Sequence, residues 1–167
     1  PEGSGKFSKR DADKHGFPIF PLEWTDPRVD ETAIGFREEG YLPEAMVNFL
    51  DLLGWNPGTE EELFSLEELI KVFDLKGINK SGAKFDIEKA KWFNQQYIIA
   101  SDNEMLAKTI QPLIEAKGYQ PDLDYLAAFC GLMKERVHFY PEFWENGAYF
   151  FKEVSEYDQK TIRKKWK

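Results

Sequence analysis

The segment Gly3-Ser4-Gly5-Lys6-Phe7-Ser8-Lys9-Arg10 gathers three cations, two hydroxyls and two glycines and offers almost nothing to bury. Such residue types predict a loop dense in phosphate-binding groups. Lys6 and Lys9, three apart, can close on one anion from two sides, and the glycines let the backbone approach it. Chemistry that moves phosphates needs cations that stabilise charge in the transition state more than in the ground state. A loop that closes late supplies them at the right moment.

Two phosphate-binding patterns compete for this segment. Gly3-Ser4-Gly5-Lys6 mimics the end of a Walker A motif, but Phe7 stands where that motif needs Ser or Thr for magnesium, and no apolar strand leads into the glycines. Lys6-Phe7-Ser8-Lys9-Arg10 resembles the KLSKR form of the second signature loop of class I aminoacyl-tRNA synthetases, as found in glutamyl- and glutaminyl-tRNA synthetases. The bland alternative is a basic end with no task, and five residues alone do not exclude it.

The composition is that of a folded chain. Of its 167 residues, 42% are hydrophobic and 16% aromatic, enough for one or two small domains with a real core. A single cysteine, Cys130, rules out an internal disulfide and offers no metal cluster, which fits a reducing compartment. No run is long enough for a membrane span, and no signal peptide is visible. The net charge of −8 speaks against a polyanion partner only on average, because binding depends on where cations sit. From Lys71 to Lys91 there are six lysines against three acids, and from Lys160 to Lys167 five cations and no acid.

The periods along the chain are almost all helical, so the fold class is mainly α, with room for a short strand pair near residues 7–20 or 83–86. Residues 11–33 read as irregular, and the proline-broken Phe17–Trp24 stretch as an extended arm packed on the body. Helices are expected from Glu31 to Glu39, from Pro43 to a cap at Gly54, and from a capping box at Ser65 to about Phe73. Asp86 caps a helix to about Ile99, with Trp92 and Phe93 on its apolar side. Ser101-Asp102-Asn103-Glu104 reads as a second capping box. Leu123, Leu126, Cys130, Met133 and Val137 mark one face of a long helix that Pro141 ends. An aromatic turn follows over 143–151, and Ser155-Glu156-Tyr157-Asp158 caps a last helix.

Four further segments carry a resemblance. Tyr41–Leu50 with Leu53-Gly54-Trp55, then Phe64–Ile70, Phe85–Lys89 and Trp92–Ile98, resemble in order and spacing the segments that follow the signature loop in bacterial glutamyl-tRNA synthetases. Residues 12–26 depart from it, being longer and more aromatic. The resemblance implies a piece of a longer ATP-dependent, magnesium-dependent enzyme whose preceding Rossmann domain holds glutamate and most ATP contacts, so that this piece alone would not charge tRNA. Residues 1–100 would be the signature loop and a helical stem-contact domain, and 101–167 an incomplete helical anticodon-binding domain. Lys6 and Lys9 would steady the ATP phosphates, helped by Arg10, with Ser8 shaping the loop. Leu132-Met133-Lys134-Glu135-Arg136 is similar to the family helix that offers an arginine to the third anticodon base, so Arg136 would read tRNA(Glu) in preference to tRNA(Gln). The parent is expected to be a cytoplasmic monomer with no metal ligands in this part and no membrane contact.

Other signals are weaker. Lys76, Lys80 and Lys84, with Lys89 and Lys91, are candidates for contacts to the tRNA backbone, for which lysines serve as point charges. Phe143, Trp144 and Tyr149 could stack on bases, though core packing is the commoner use of such residues. An alternative without RNA is a helical protein-interaction module with an exposed basic tail. An alternative within the family is a synthetase that charges both tRNA(Glu) and tRNA(Gln).

Overall fold

The computed structural model describes residues 18–80, 85–152 and 159–165. The chain divides into two units, Pro1–Ser101 and Asp102–Lys167. Both are helical, and the described residues contain one two-stranded sheet.

In the first unit, β1 (Trp24–Asp26) pairs antiparallel with β2 (Glu31–Ala33), Thr25 facing Thr32. This hairpin lies neither at 7–20 nor at 83–86, and it replaces the start of the helix expected from Glu31 to Glu39. The reason is turn chemistry. Pro27 fixes its own φ, and the Asp26 carboxylate accepts from the Arg28 amide and, through both oxygens, from its guanidinium at 2.7–3.0 Å. Only Phe36–Glu39 remains helical, as α1. The expected arm is present from Pro18 onward. The α1 amides of Phe36 and Arg37 donate to the carbonyls of Phe20 and Pro21, at 2.9 and 3.2 Å. A Cβ on Gly35 would sit 2.2 Å from the Leu22 carbonyl carbon, so only glycine lets the arm cross here.

Helix α2 (Pro43–Gly54) begins on proline, as the sequence suggests, and buries Ala45, Met46, Asn48 and Phe49. It is not apolar-buried all round, since Val47 and Leu50 are exposed. Helix α3 (Leu66–Val72) starts at the predicted capping box: Ser65 Oγ accepts the Glu68 amide and Glu68 Oε2 accepts the Ser65 amide. Helix α4 (Ile87–Ala100) starts at Asp86, whose carboxylate accepts from the Lys89 amide at 3.1 Å. Phe93 is wholly buried against Phe49, whereas Trp92 lies on the exposed side of the helix. Each fully buried phenylalanine contributes about 2 kcal/mol.

Two buried asparagines join these helices to the loops. Asn94 on α4 accepts from the Leu42 amide at 2.7 Å and donates to the Gly40 carbonyl at 3.1 Å. Asn48 on α2 accepts from the Phe64 amide at 2.9 Å. The Tyr97 hydroxyl lies 2.5 Å from the Phe64 carbonyl and 2.9 Å from Asn48 Oδ1. Burial, with the charges of Glu44 and Glu68 adding to it, pushes Tyr97 up to about 12, so it keeps its proton and can donate.

In the second unit, α5 (Asn103–Glu115) and α6 (Leu123–Met133) form an antiparallel hairpin, the end of α6 reaching the start of α5 where Gly131 meets Asn103. Leu106, Ile110, Ile114, Leu126, Phe129 and Cys130 fill the space between them. The N-cap of α5 is Asp102, accepting from the Glu104 and Met105 amides. The capping box expected from Ser101 is absent, because the Ser101 hydroxyl instead donates to the Tyr97 carbonyl and closes α4. Helix α6 is shorter than expected. It tightens into a 3-10 turn over Lys134–Arg136, and Val137 is extended though buried. Leu123, placed on the same face by the sequence, is exposed. Pro141 begins α7 (Pro141–Gly147) rather than ending α6, since proline suits a first helical position. A 3-10 turn, Ala148–Phe150, follows, and α8 (Gln159–Lys165) is the last described element. The cap expected at Ser155–Asp158 lies outside the described residues.

Asn94→Ala would leave the Gly40 carbonyl and the Leu42 amide without their partner, and is expected to destabilise the chain by about 2–4 kcal/mol. The check is a lower urea midpoint at unchanged slope. Gly77→Ala would bring a methyl within 2.4 Å of Trp55 Nε1, whereas a Cβ on Gly54 meets nothing within 4 Å. Thermal melting should therefore fall sharply for Gly77→Ala and hold or rise slightly for Gly54→Ala.

Candidate nucleic-acid interface

The loop that carries Lys76 and Lys80 is fixed through its backbone. Trp55 is buried at the end of α2 and donates its Nε1–H to the Asp74 carbonyl at 2.8 Å. The Asn56 amide donates to the Gly77 carbonyl and the Asn79 amide to the Gly54 carbonyl, both at 2.9 Å. Asp74 Oδ1 accepts the Lys76 amide at 3.0 Å and opens a short 3-10 turn, Leu75–Gly77. Lys76 and Lys80 therefore leave a rigid base with exposed side chains, and neither has an ion-pair partner among the described residues. Lys89 and Lys91 differ. Lys89 reaches Glu62, and Lys91 lies 3.0 Å from Glu88. Lys84 lies outside the described residues. Ile70, Phe73 and Leu75, which precede Lys76 in sequence, are exposed as well.

Arg136 is the last residue of the 3-10 turn that follows α6. Met133 before it and Val137 after it are buried, which holds the intervening turn outward. The Arg136 side chain is exposed, with no ion-pair partner among the described residues. Glu142, one of the acids that could have neutralised it, is engaged elsewhere. Its Oε2 accepts the His138 amide at 2.7 Å and lies 3.7 Å from His138 Nδ1. The Arg136 carbonyl accepts from Asn146 Nδ2 at 3.4 Å. Nothing in the sequence pattern points to Asn146, a polar residue in an aromatic stretch. A guanidinium presented in this way offers a planar fork of donors to a base edge or a phosphate.

Lys6, Ser8, Lys9 and Arg10, the phosphate-loop candidates, lie outside the described residues. No group of three His, Cys, Asp or Glu able to hold a metal occurs among the described residues. No described helix is long and apolar enough to cross a membrane.

Comparisons with known proteins bear on both units. The family of class I tRNA synthetases for E and Q, catalytic domain, matches residues 28–92. The anticodon binding domain family matches residues 101–167. The glutamate–tRNA ligase of Phocaeicola vulgatus is 53% identical over 167 residues, all of this chain and 33% of that protein. The chain belongs to the glutamate–tRNA ligase family. The ligases of Porphyromonas gingivalis and Flavobacterium johnsoniae are 51% and 52% identical, again over the whole chain. The chain spans about a third of the length of these ligases. A crystal structure of the glutamate tRNA ligase of Elizabethkingia meningosepticum in complex with its amino acid superposes with a TM-score of 0.93 at 44% identity, covering all of this chain and 33% of that one. The Elizabethkingia anophelis enzyme gives 0.91 over 98% of this chain and 33% of its own. The anticodon-domain match begins at residue 101, beside the division between the two units.

Cys130 takes no part in this surface. Burial pushes its thiol up to about 12 from 9.0, against the opposing charge of Lys134. A raised folded value means that the stability it contributes is complete below pH 9.0 and is lost as pH rises toward about 12, because the unfolded thiol ionises first. A thiol reagent at mildly alkaline pH is expected to label the chain only in denaturant. Prompt labelling of the native chain would show that the α5–α6 hairpin opens freely.

Proposed function

We propose that this chain is the tRNA-contacting part of a glutamate–tRNA ligase, whose reaction activates glutamate with ATP and transfers it to tRNA(Glu). The observation that carries the reading is sequence identity of about half to ligases of this kind over the full length of the chain, across both units. Residues 1–100 serve as phosphate loop and stem-contact domain, and residues 101–167 as the beginning of the anticodon-binding domain.

The roles follow from the chemistry of the side chains. ATP, with magnesium, supplies the adenylyl group that activates the glutamate carboxylate. Lys6 and Lys9 meet the phosphate oxygens as that charge shifts, Arg10 adds a planar donor set, and Ser8 shapes the loop. Two lysines and an arginine beside paired glycines form a donor set that fits a polyphosphate. Lys76, Lys80 and Lys84 neutralise phosphates of the tRNA backbone and carry no sequence information. Arg136 reads the edge of the third anticodon base, which the unpaired loop leaves accessible. Its exposure on a turn pinned by two buried neighbours supports that role. The enzyme works as a cytoplasmic monomer.

Binding of this chain to tRNA(Glu), tRNA(Gln) and an unrelated tRNA over a salt series tests the reading. Binding should weaken steeply with salt, and Lys76→Ala should lower the salt slope by about one unit for all three RNAs alike. Arg136→Gln should cost about 1–3 kcal/mol on tRNA(Glu) and erase its advantage over tRNA(Gln). Equal affinity for all three RNAs in the unmutated chain would overturn the base-reading role. Absence of binding at low salt would favour the protein-interaction module.

A further inference from the structure

Three of the aromatic residues that follow Arg136 in sequence, Phe143, Trp144 and Tyr149, meet different fates in the structure. Phe143 is wholly buried, 6.0 Å from the ring of Phe129. Trp144 already carries Phe151, stacked at 6.0 Å, together with the ammonium groups of Lys152 and Lys117 at 4.9 and 5.9 Å from its ring centre. Neither has a face to offer. Tyr149 is 54% exposed.

The Tyr149 ring is held, not loose. It lies on Phe150, with centroids 4.6 Å apart and planes inclined by 31°. Its hydroxyl points at Met133 Sδ, 4.0 Å away. Met133 is the last residue of α6, one turn ahead of Arg136. Asn146, one turn before Tyr149, donates to the Arg136 carbonyl. Two independent contacts thus bring an exposed, oriented phenol ring and an exposed guanidinium to the same end of α6.

We infer that Tyr149 is a stacking platform for an unpaired base of the RNA loop whose neighbouring base edge Arg136 contacts. The inference rests on the RNA-binding reading of this unit. Unpaired bases in a loop need two things from a protein, a flat face for the ring and donors for the edge. Arg136 can supply only the second in full, and a base held by its edge alone keeps swinging about its sugar. A ring already fixed by Phe150 and Met133 loses little freedom when a base lands on it, so the contact favours binding without regard to base identity. Specificity then stays with Arg136, and Tyr149 limits where the loop can lie when Arg136 reads it.

The test uses this chain and an RNA hairpin carrying 2-aminopurine at successive loop positions, whose fluorescence drops when the base stacks. One position is expected to be quenched on binding. Tyr149→Phe should keep the quench and the affinity. Tyr149→Ala and Tyr149→Leu, the latter retaining apolar cover over Phe150, should lose the quench and bind about tenfold more weakly, at an unchanged melting temperature. Arg136→Gln should lose base preference but keep the quench. If Tyr149→Leu keeps both quench and affinity while Arg136→Gln still loses preference, the platform is wrong and the RNA-binding reading stands. If the unmutated chain does not bind the hairpin, both fall.

Discussion

Asn48 and Asn94 lie fully buried where α2 and α4 pack, and both direct their amides at main-chain groups of loops. A loop that runs over apolar helices has backbone donors and acceptors that water no longer reaches, and each left unpaired costs about 1–3 kcal/mol. The asparagines meet that demand for the turn entering α2 and the turn entering α3. Asn48 does so incompletely, since its Nδ2 finds no partner among the described residues. The helix pair could bury Phe49 and Phe93 without these amides, but the segments leading into α2 and α3 would then lose a buried tie to the helices.

The same logic explains which parts of the fold were legible in the sequence. Ser65 and Asp86 announced helix starts because a cap is a local event, complete within three residues. The Glu31–Ala33 strand was not legible, because it follows from a tight turn in which Asp26 grips Arg28, and the side-chain contact that fixes such a turn is not visible in the residue pattern. Ser101 looked like a cap until its hydroxyl found the Tyr97 carbonyl of the preceding helix. Val137 kept the apolar period of α6 while the backbone had already left the helix, so periodicity overran the true end. Asn48 and Asn94 gave no signal at all, since a buried amide and a solvated one are identical in sequence. In the candidate interface, Arg136 could be named from a motif, whereas Asn146 beneath it could not. Outward placement of Lys76 and Lys80 depends on Trp55 and Gly77, more than twenty residues apart.

Charge in this protein is a local matter. The chain is acidic overall, yet exposed charges more than about 8 Å apart are largely screened at physiological ionic strength. What a polyanion meets is therefore the handful of groups beside it. Lys89 and Lys91 have acids within reach, and their fields are partly cancelled. Lys76, Lys80 and Arg136 have none at ion-pair distance among the described residues and keep their attraction for a phosphate or a base edge. The division between paired and unpaired cations, rather than the net charge, separates candidate contacts from ordinary surface.

The asparagine tethers also shape how this protein can drift over generations. Asn48 and Asn94 grip peptide groups, and a peptide group is the same whatever side chain it carries. Positions such as Leu42 can therefore exchange one residue for another without loosening the tether, provided that the replacement is not proline, which has no amide to give. Asn94 itself has no such latitude, because it accepts and donates at once, and no other side chain of that length does both without charge. Family members can thus diverge along the two turns while each is tethered by one asparagine that lies outside it in sequence.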